Sequence, residues 1–305
     1  MRKQRCFRDI DKVKTNSPLT EALEENESMK TERLISSLFL ICVLILSACS
    51  GSKSPQIMSW EEYSRLSLRG PYVLNLQTQE GSLLYYGAEH TADLKHPQFS
   101  DMEKLWQEFK PSLTLSEGGV WPLEKSKEEA INRHGEQGFL RYLTDRDDIP
   151  VKSLEPESSR EVALLLKEYS AEQIKVFYTL RQVSQQKRMG QTEPLEEYVK
   201  KFLEVLSREE GLDGMPQNLK EFEESVTRVL PTLKNWQEVP DSWFRPTKKE
   251  TWTNEMNRKI SDYRNQHMVE LIVNEVKKGE RVFAVIGFSH VVMQEPALRK
   301  ALRQK

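Results

Sequence analysis

Two stretches of the chain share one pattern: an apolar run closed by glycine, then two residues and a histidine. The early copy reads Leu83-Leu84-Tyr85-Tyr86-Gly87-Ala88-Glu89-His90. The late copy reads Val282-Phe283-Ala284-Val285-Ile286-Gly287-Phe288-Ser289-His290. Unbroken apolar runs of this length, rich in β-branched and aromatic residues, predict strands buried on both faces. The glycine lets the backbone turn, or approach a ligand closely, as the strand ends. Each histidine then stands just past the carboxyl end of a central strand, where open α/β sheets hold their ligands.

Between and around these runs the pattern predicts further elements. A short helix covers 60–68, and the alternation at 72–76 predicts a strand that turns at 78–81 into the early motif. Ser100-x-x-Glu103 has the form of a capping box and predicts a helix through Phe109, stopped by Pro111. Leu113-Thr114-Leu115-Ser116 predicts a strand that delivers Glu117 to Gly118-Gly119. A helical region at 125–145 is broken near Gly135 and Gly138. The strand at 151–154 ends at Glu155, which Pro156 pushes toward extended backbone. Ser158-x-x-Glu161 predicts a cap for a helix through Tyr169. Strand, acid and helix in alternation are the signature of a mainly parallel sheet.

From 171 to 233 only helical spacing remains, with a loop at 211–217. Trp236, Trp243, Phe244 and Trp252 follow, and they either line a cleft or cap the helical region. A helix is expected over 254–278, closed by Gly279, and a last one from Pro296. On the long helix Ile260, Arg264, Met268 and Leu271 share a face, and a buried arginine needs an acidic partner or a ligand. The expected fold is α/β: a mixed, mainly parallel central sheet flanked by helices, one domain over 71–305 with a helical insertion about 171–252.

The strand ends thus offer His90, Glu117, Glu155 and His290, with Arg264 from the helix; Glu89, His96 and Asn265 are further candidates. Two imidazoles with carboxylates form a set suited to Mn, Co, Zn or Fe with an open position, His90, His290 and Glu117 being the ligand candidates. Such a metal activates water for hydrolysis. The same groups without metal serve as bases and electrostatic stabilisers, with Glu117, Glu155 and Arg264 catalytic. Spacing does not choose between these.

Net charge is −2 with 30% charged residues of mixed sign, so no basic stripe for nucleic acid is present. All three cysteines, Cys6, Cys42 and Cys49, precede the folded part, which excludes a disulfide or cysteine nucleophile from it. Residues 34–46 are apolar, follow Lys30 and Arg33, and lead to Leu46-Ser47-Ala48-Cys49. That is a secretory signal in form, and Leu-Ser-Ala-Cys resembles a bacterial lipobox. The resemblance implies a signal peptide at 29–48 and acylation of Cys49, with 49–70 as tether and edge helix. It places the protein in the bacterial cell envelope, held to a membrane by lipid. Ser50, with no aspartate, points to the outer membrane if the cell has one. Residues 1–28 are expected to be a non-native extension ahead of Met29.

The paired Gly-x-x-His motifs, with Glu117 and Glu155 between them, resemble a superfamily. It joins TraB/PrgY pheromone-shutdown proteins, Tiki proteases, ChaN haem-binding lipoproteins and erythromycin esterases. Arg264-Asn265-x-x-Met268 is similar to the Arg-Asn-x-x-Met segment of TraB and Tiki members. The resemblance spans about 83–295. It implies His90 and His290 as metal ligands or bases, Glu117 and Glu155 as site acids, and Arg264 as a clamp. It also implies two activities: a metal-assisted hydrolase of peptides or esters, or a haem- or ligand-binding lipoprotein without turnover. ChaN-like and esterase motifs place glutamate directly after the first glycine, where this chain has Ala88.

Overall fold

The computed structural model describes residues 56–188 and 193–303; the expected signal segment and Cys49 lie outside them. The chain runs α1 (Trp60–Ser64), β1 (Tyr72–Gln77), β2 (Ser82–Ala88), α2 (Pro97–Phe109) and β3 (Leu113–Ser116). It continues through α3 (Lys127–Arg146), β4 (Val151–Ser153), α4 (Ser158–Leu165), α5 (Ala171–Arg188), α6 (Leu195–Leu206) and α7 (Leu219–Val229). Then come α8 (Trp252–Lys277), β5 (Arg281–Gly287) and α9 (Phe288–Ala301). Among the described residues no helix is long and apolar enough to cross a membrane.

The strands form one sheet in the order β1-β2-β5-β3-β4, with β1 antiparallel to β2 and the other pairs parallel. This is the expected mixed, mainly parallel α/β sheet. The two motif strands are neighbours, but their glycines are out of step: Gly87 pairs with Ile286, and Gly287 with Ala88. Side chains alternate across the sheet. Leu83, Tyr85, Val282, Ala284 and Ile286 meet α8 and α9 on one face. Leu84, Tyr86, Ala88, Phe283 and Val285 meet α2 and α3 on the other.

That division follows from handedness. The paths β2–β3 and β3–β4 move one way along the sheet with α2 and α3 on one face. The return from β4 to β5 moves the other way, so a right-handed crossover puts α8 on the opposite face. At their carboxyl ends the adjacent strands β2 and β5 therefore send their chains to opposite faces. Such a switch point opens a crevice.

The helical insertion has its own core, from Ile174, Phe177 and Leu180 of α5 to Phe222 of α7 and Met256 and Ile260 of α8. Trp236 and Phe244 are buried in it, with Trp243 and Trp252 packed against it. The aromatic segment caps the insertion, and Trp236 also lines a surface cavity with Glu223, Thr227 and Lys234 that shares no residue with the sheet edge. One helix, α8, serves both cores: Met256 and Ile260 point into the insertion, Met268 to Val276 onto the sheet.

Several predicted ends differ. Helix α2 starts at Pro97, not Ser100, because His96 accepts from Gln98 N–H and Pro97 is pre-set for a first helical turn. In α3 only Gly135 breaks the helix, with φ 57°, while Gly138 is helical. Helix α4 ends at Leu165 and lacks the capping box, since Glu161 accepts from Tyr178 Oη and Ser158 Oγ donates to Glu209. Helix α9 starts at Phe288, directly after the strand, with Pro296 inside it. The proline's lost hydrogen bond, about 3 kcal/mol, is offset by burial of Val291, Val292, Met293, Ala297 and Leu298.

Candidate functional site

Strand β3 ends at Ser116, so Glu117 emerges at the carboxyl edge beside β5. Gly287 N–H donates to Glu117 Oε2 at 2.9 Å. Strand β4 ends two residues before Glu155, whose Oε1 accepts from Gly118 N–H at 3.0 Å. Positive φ at Gly118 and Gly119 turns the chain sharply there. Arg264, from the middle of α8, closes the gap. It donates to Glu155 through Nε at 2.7 Å and NH2 at 2.6 Å, and to Glu117 Oε1 at 3.0 Å. A planar fork with fixed donor directions suits two carboxylates better than a lysine would. Burial alone would raise the Glu117 carboxyl. The Arg264 charge, the two histidines and the Gly287 N–H outweigh it and hold the group at about 2.

His90 leaves β2 into a loop and is the solvent-facing member, 69% exposed. Its Nδ1–H donates to Glu136 Oε1 at 2.6 Å, and Glu136 is 6% exposed. The left-handed turn at Gly135 permits this. It breaks α3 at the sheet edge, so Glu136 reaches His90 while Gln137 accepts from Ser116 Oγ and donates to the Val285 carbonyl. The Glu136 hydrogen bond, with the charges of Glu136 and Glu117, raises His90 to about 9. Gly287 leaves room for this ring: a Cβ there would stand 2.9 Å from His90 Nε2 and 3.9 Å from Glu117 Oε2.

His290 differs in every respect. It sits in the first turn of α9 and its Nδ1 lies 2.7 Å from Asn265 Oδ1. That amide oxygen also accepts from Gln294 Nε2, and Gln294 Oε1 accepts from Tyr85 Oη. Burial, helped by the Arg264 charge, lowers His290 to about 4. A neutral ring that donates from Nδ1 keeps a lone pair on Nε2. Trp60 of α1 packs edge-on against this ring at 6.4 Å between centroids.

His90, Glu117, Glu155, Arg264 and His290 therefore converge at one sheet edge. Of the further candidates, Asn265 orients His290, and its Nδ2 is buried without a partner. Glu89 and His96 turn to each other, 3.3 Å apart, and His96 is spent on capping α2. Glu89 still lines, with Arg69, His90, Gly287 and Phe288, a cavity of about 340 Å³ at the switch point. Among the described residues no group of three or more His, Cys, Asp or Glu is set to hold a metal ion.

Sequence reasoning passed over Glu136, although the break expected near Gly135 directly precedes it. It also passed over a cluster behind Arg264: Glu161, Tyr178 and Arg181. Tyr178 Oη donates to Glu161, and burial, with the Arg264 charge, lowers Arg181. Glu161 read as a helix cap, and Tyr178 and Arg181 lie on a helix whose stripe reads as plain core.

A family model described as the TraB/PrgY/gumN family matches residues 129–305. The chain belongs to that family. The TraB/PrgY part of the sequence resemblance is thereby borne out. The matched span carries Glu136, Glu155, Arg264, Asn265 and His290 of this TraB/PrgY/gumN member, while His90 and Glu117 precede it. Neither a curated protein nor a solved structure matches the chain.

Proposed function

We propose that this TraB/PrgY/gumN member is an envelope lipoprotein that hydrolyses peptide or ester bonds with water activated between its two histidines. One observation carries the reading. Both rings have Nδ1 held by a partner, Glu136 for His90 and Asn265 for His290, and neither Nε2 hydrogen-bonds to a described residue. In this reading the His290 Nε2 lone pair takes a proton from water. His90 returns a proton to the leaving group through Nε2. Arg264 and the Gly287 N–H keep Glu117 ionised beside both.

A divalent Mn, Co, Zn or Fe ion is a proposal on the same residues. Histidines fixed through Nδ1 to a carboxylate or amide are the arrangement found at metal ligands, so His90, His290 and Glu117 are the groups that would hold it, although they are not already gathered as a ligand set. When bound, the ion would lower the pKa of water.

The test is hydrolysis of unlabelled casein and p-nitrophenyl esters by the full chain, with metal analysis and an absorption scan for haem. Turnover lost in His290→Ala by ~10²-fold or more, with an unchanged circular dichroism spectrum, supports the reading. Metal lost together with activity in His90→Ala and His290→Ala assigns the ion. Stoichiometric haem without turnover replaces the hydrolase by a ligand-binding lipoprotein.

A further inference from the structure

The five residues at 65–69, Arg65-Leu66-Ser67-Leu68-Arg69, join α1 to β1 and are all exposed. Leu66 is 42% and Leu68 44% exposed, which is uncommon for leucines so close together on a surface otherwise rich in charge. Arg65 pairs with Glu61 at 2.5 Å, while Arg69 makes no ion pair or hydrogen bond with any described residue. Leu68 and Arg69 line the cavity that also holds His90. The loop is therefore part of the mouth of the candidate site.

Neighbouring loops repeat the feature. Tyr72 of β1 pairs with Gly87, so the chain before β1 lies at the same sheet edge from which the β2 and β3 loops leave. Leu94, Val120 and Leu123 are exposed in those loops. Five of the nine exposed large apolar side chains among the described residues thus surround one edge. Scattered leucines need no explanation, whereas several in the loops of one edge, with Leu68 lining the cavity there, mark a contact surface.

The chain enters the domain beside that surface. Met58 N–H donates to the Met293 carbonyl, Ser59 caps α1, and Trp60 rests on His290. Entry is thus beside the site. Cys49 stands ten residues before Ser59, a reach of roughly 35 Å when extended. If Cys49 is acylated, as in the proposed function, the lipid is attached within that length of chain from the point of entry.

We infer that the 65–69 loop is a phospholipid-surface contact, with Leu66 and Leu68 in the interfacial layer and Arg69 on headgroup phosphate. Leucines beside snorkelling arginines are the composition such interfaces take. The cavity mouth then faces lipid, and the substrates of the proposed hydrolase are membrane-associated chains rather than free cytosolic or periplasmic ones. The substrate statement rests on the hydrolase reading, and the orientation rests on acylation at Cys49. The contact itself depends on neither.

The test reconstitutes the full processed chain into phosphatidylcholine vesicles, with and without phosphatidylglycerol, that carry a photoactivatable diazirine on the acyl chain. Mass spectrometry maps the lipid-labelled peptides and reads the N-terminus. Labels are expected on 65–69 and on the loops of Leu94 and Val120, and the pair Leu66→Ser with Leu68→Ser should cut labelling there by roughly tenfold. Labels confined to Val205 and Met215, or to the N-terminal peptide alone, overturn the contact. If Cys49 proves unacylated, protein added to vesicles from outside should still label at 65–69, and absence of label in that arm also overturns it. Wild-type labelling without any hydrolysis removes the substrate statement and leaves the contact standing.

Discussion

At the scale of single residues, the two motif glycines have different work. A Cβ on Gly87 would sit 2.7 Å from the backbone Cα of Phe288 and 3.0 Å from the Tyr72 carbonyl, so neither neighbour can yield. A Cβ on Gly287 would instead meet the tip of the His90 ring, which can swing aside, and φ −54° suits any residue. Gly87→Ala should therefore cost roughly 1–3 kcal/mol of stability, read as a fall in Tm. Gly287→Ala should leave Tm nearly unchanged yet lower turnover ~10²-fold, since a displacement near 1 Å suffices for that. Equal falls in Tm for the two variants would contradict this division. The off-by-one register of the motif strands is its cause, because it brings Gly287 rather than Gly87 against His90.

Elements decide how much of this the sequence reveals. Strand ends were legible because short apolar runs stop at glycine or before proline, so Glu117, Glu155 and both histidines could be placed on one edge. Arg264 was legible because it interrupts an apolar stripe. Glu136 was hidden by its helix: a glutamate in a charged helix reads as solvated, and only the left-handed turn at Gly135 aims it inward. The start of α9 was hidden by Pro296, whose local penalty is overruled by packing on the sheet. Glu161, Tyr178 and Arg181 meet Arg264 only through tertiary contact, which no periodicity encodes. The Gly135 turn makes a measurable claim. Glu136→Gln keeps the shape and removes the charge, so the His90 imidazole should titrate well below about 9, toward its ordinary 6.5, in proton NMR spectra. An unchanged midpoint would mean that Glu136 does not set the charge of His90. Because a raised histidine stabilises the fold below its unfolded pKa and loses that contribution as pH rises through the folded value, the variant should also flatten any loss of stability between 6.5 and about 9.

For the molecule as a whole, α8 is the member that joins its parts. Its first half packs in the helical insertion, its second half on the sheet, and Arg264 lies between, holding the ends of β3 and β4 through Glu117 and Glu155. Removing one partner of a buried ion pair leaves the others uncompensated, at a cost of roughly 3–5 kcal/mol. Arg264→Gln should thus lower Tm and loosen the insertion from the sheet, read as faster amide exchange in β3, β4 and the 155–165 region. The acid side gives the sharper test. Glu117 titrates at about 2 in the fold against an ordinary 4.5. A carboxyl lowered by folding contributes stability above its unfolded pKa, and that contribution is lost as pH falls through the folded value. The wild type should then keep this contribution above about 4.5 and lose it between there and about 2. In Arg264→Gln the chief opposing charge is gone, only the two histidines and the Gly287 N–H are left to oppose burial at Glu117, and the loss should begin at higher pH. Acid unfolding followed by circular dichroism should show the variant's midpoint moved upward by roughly one pH unit or more. Arg264→Lys, which keeps the charge and loses the fork, should fall between the two. Coincident acid midpoints for all three proteins would show that the Arg264 cluster does not bind the insertion to the sheet.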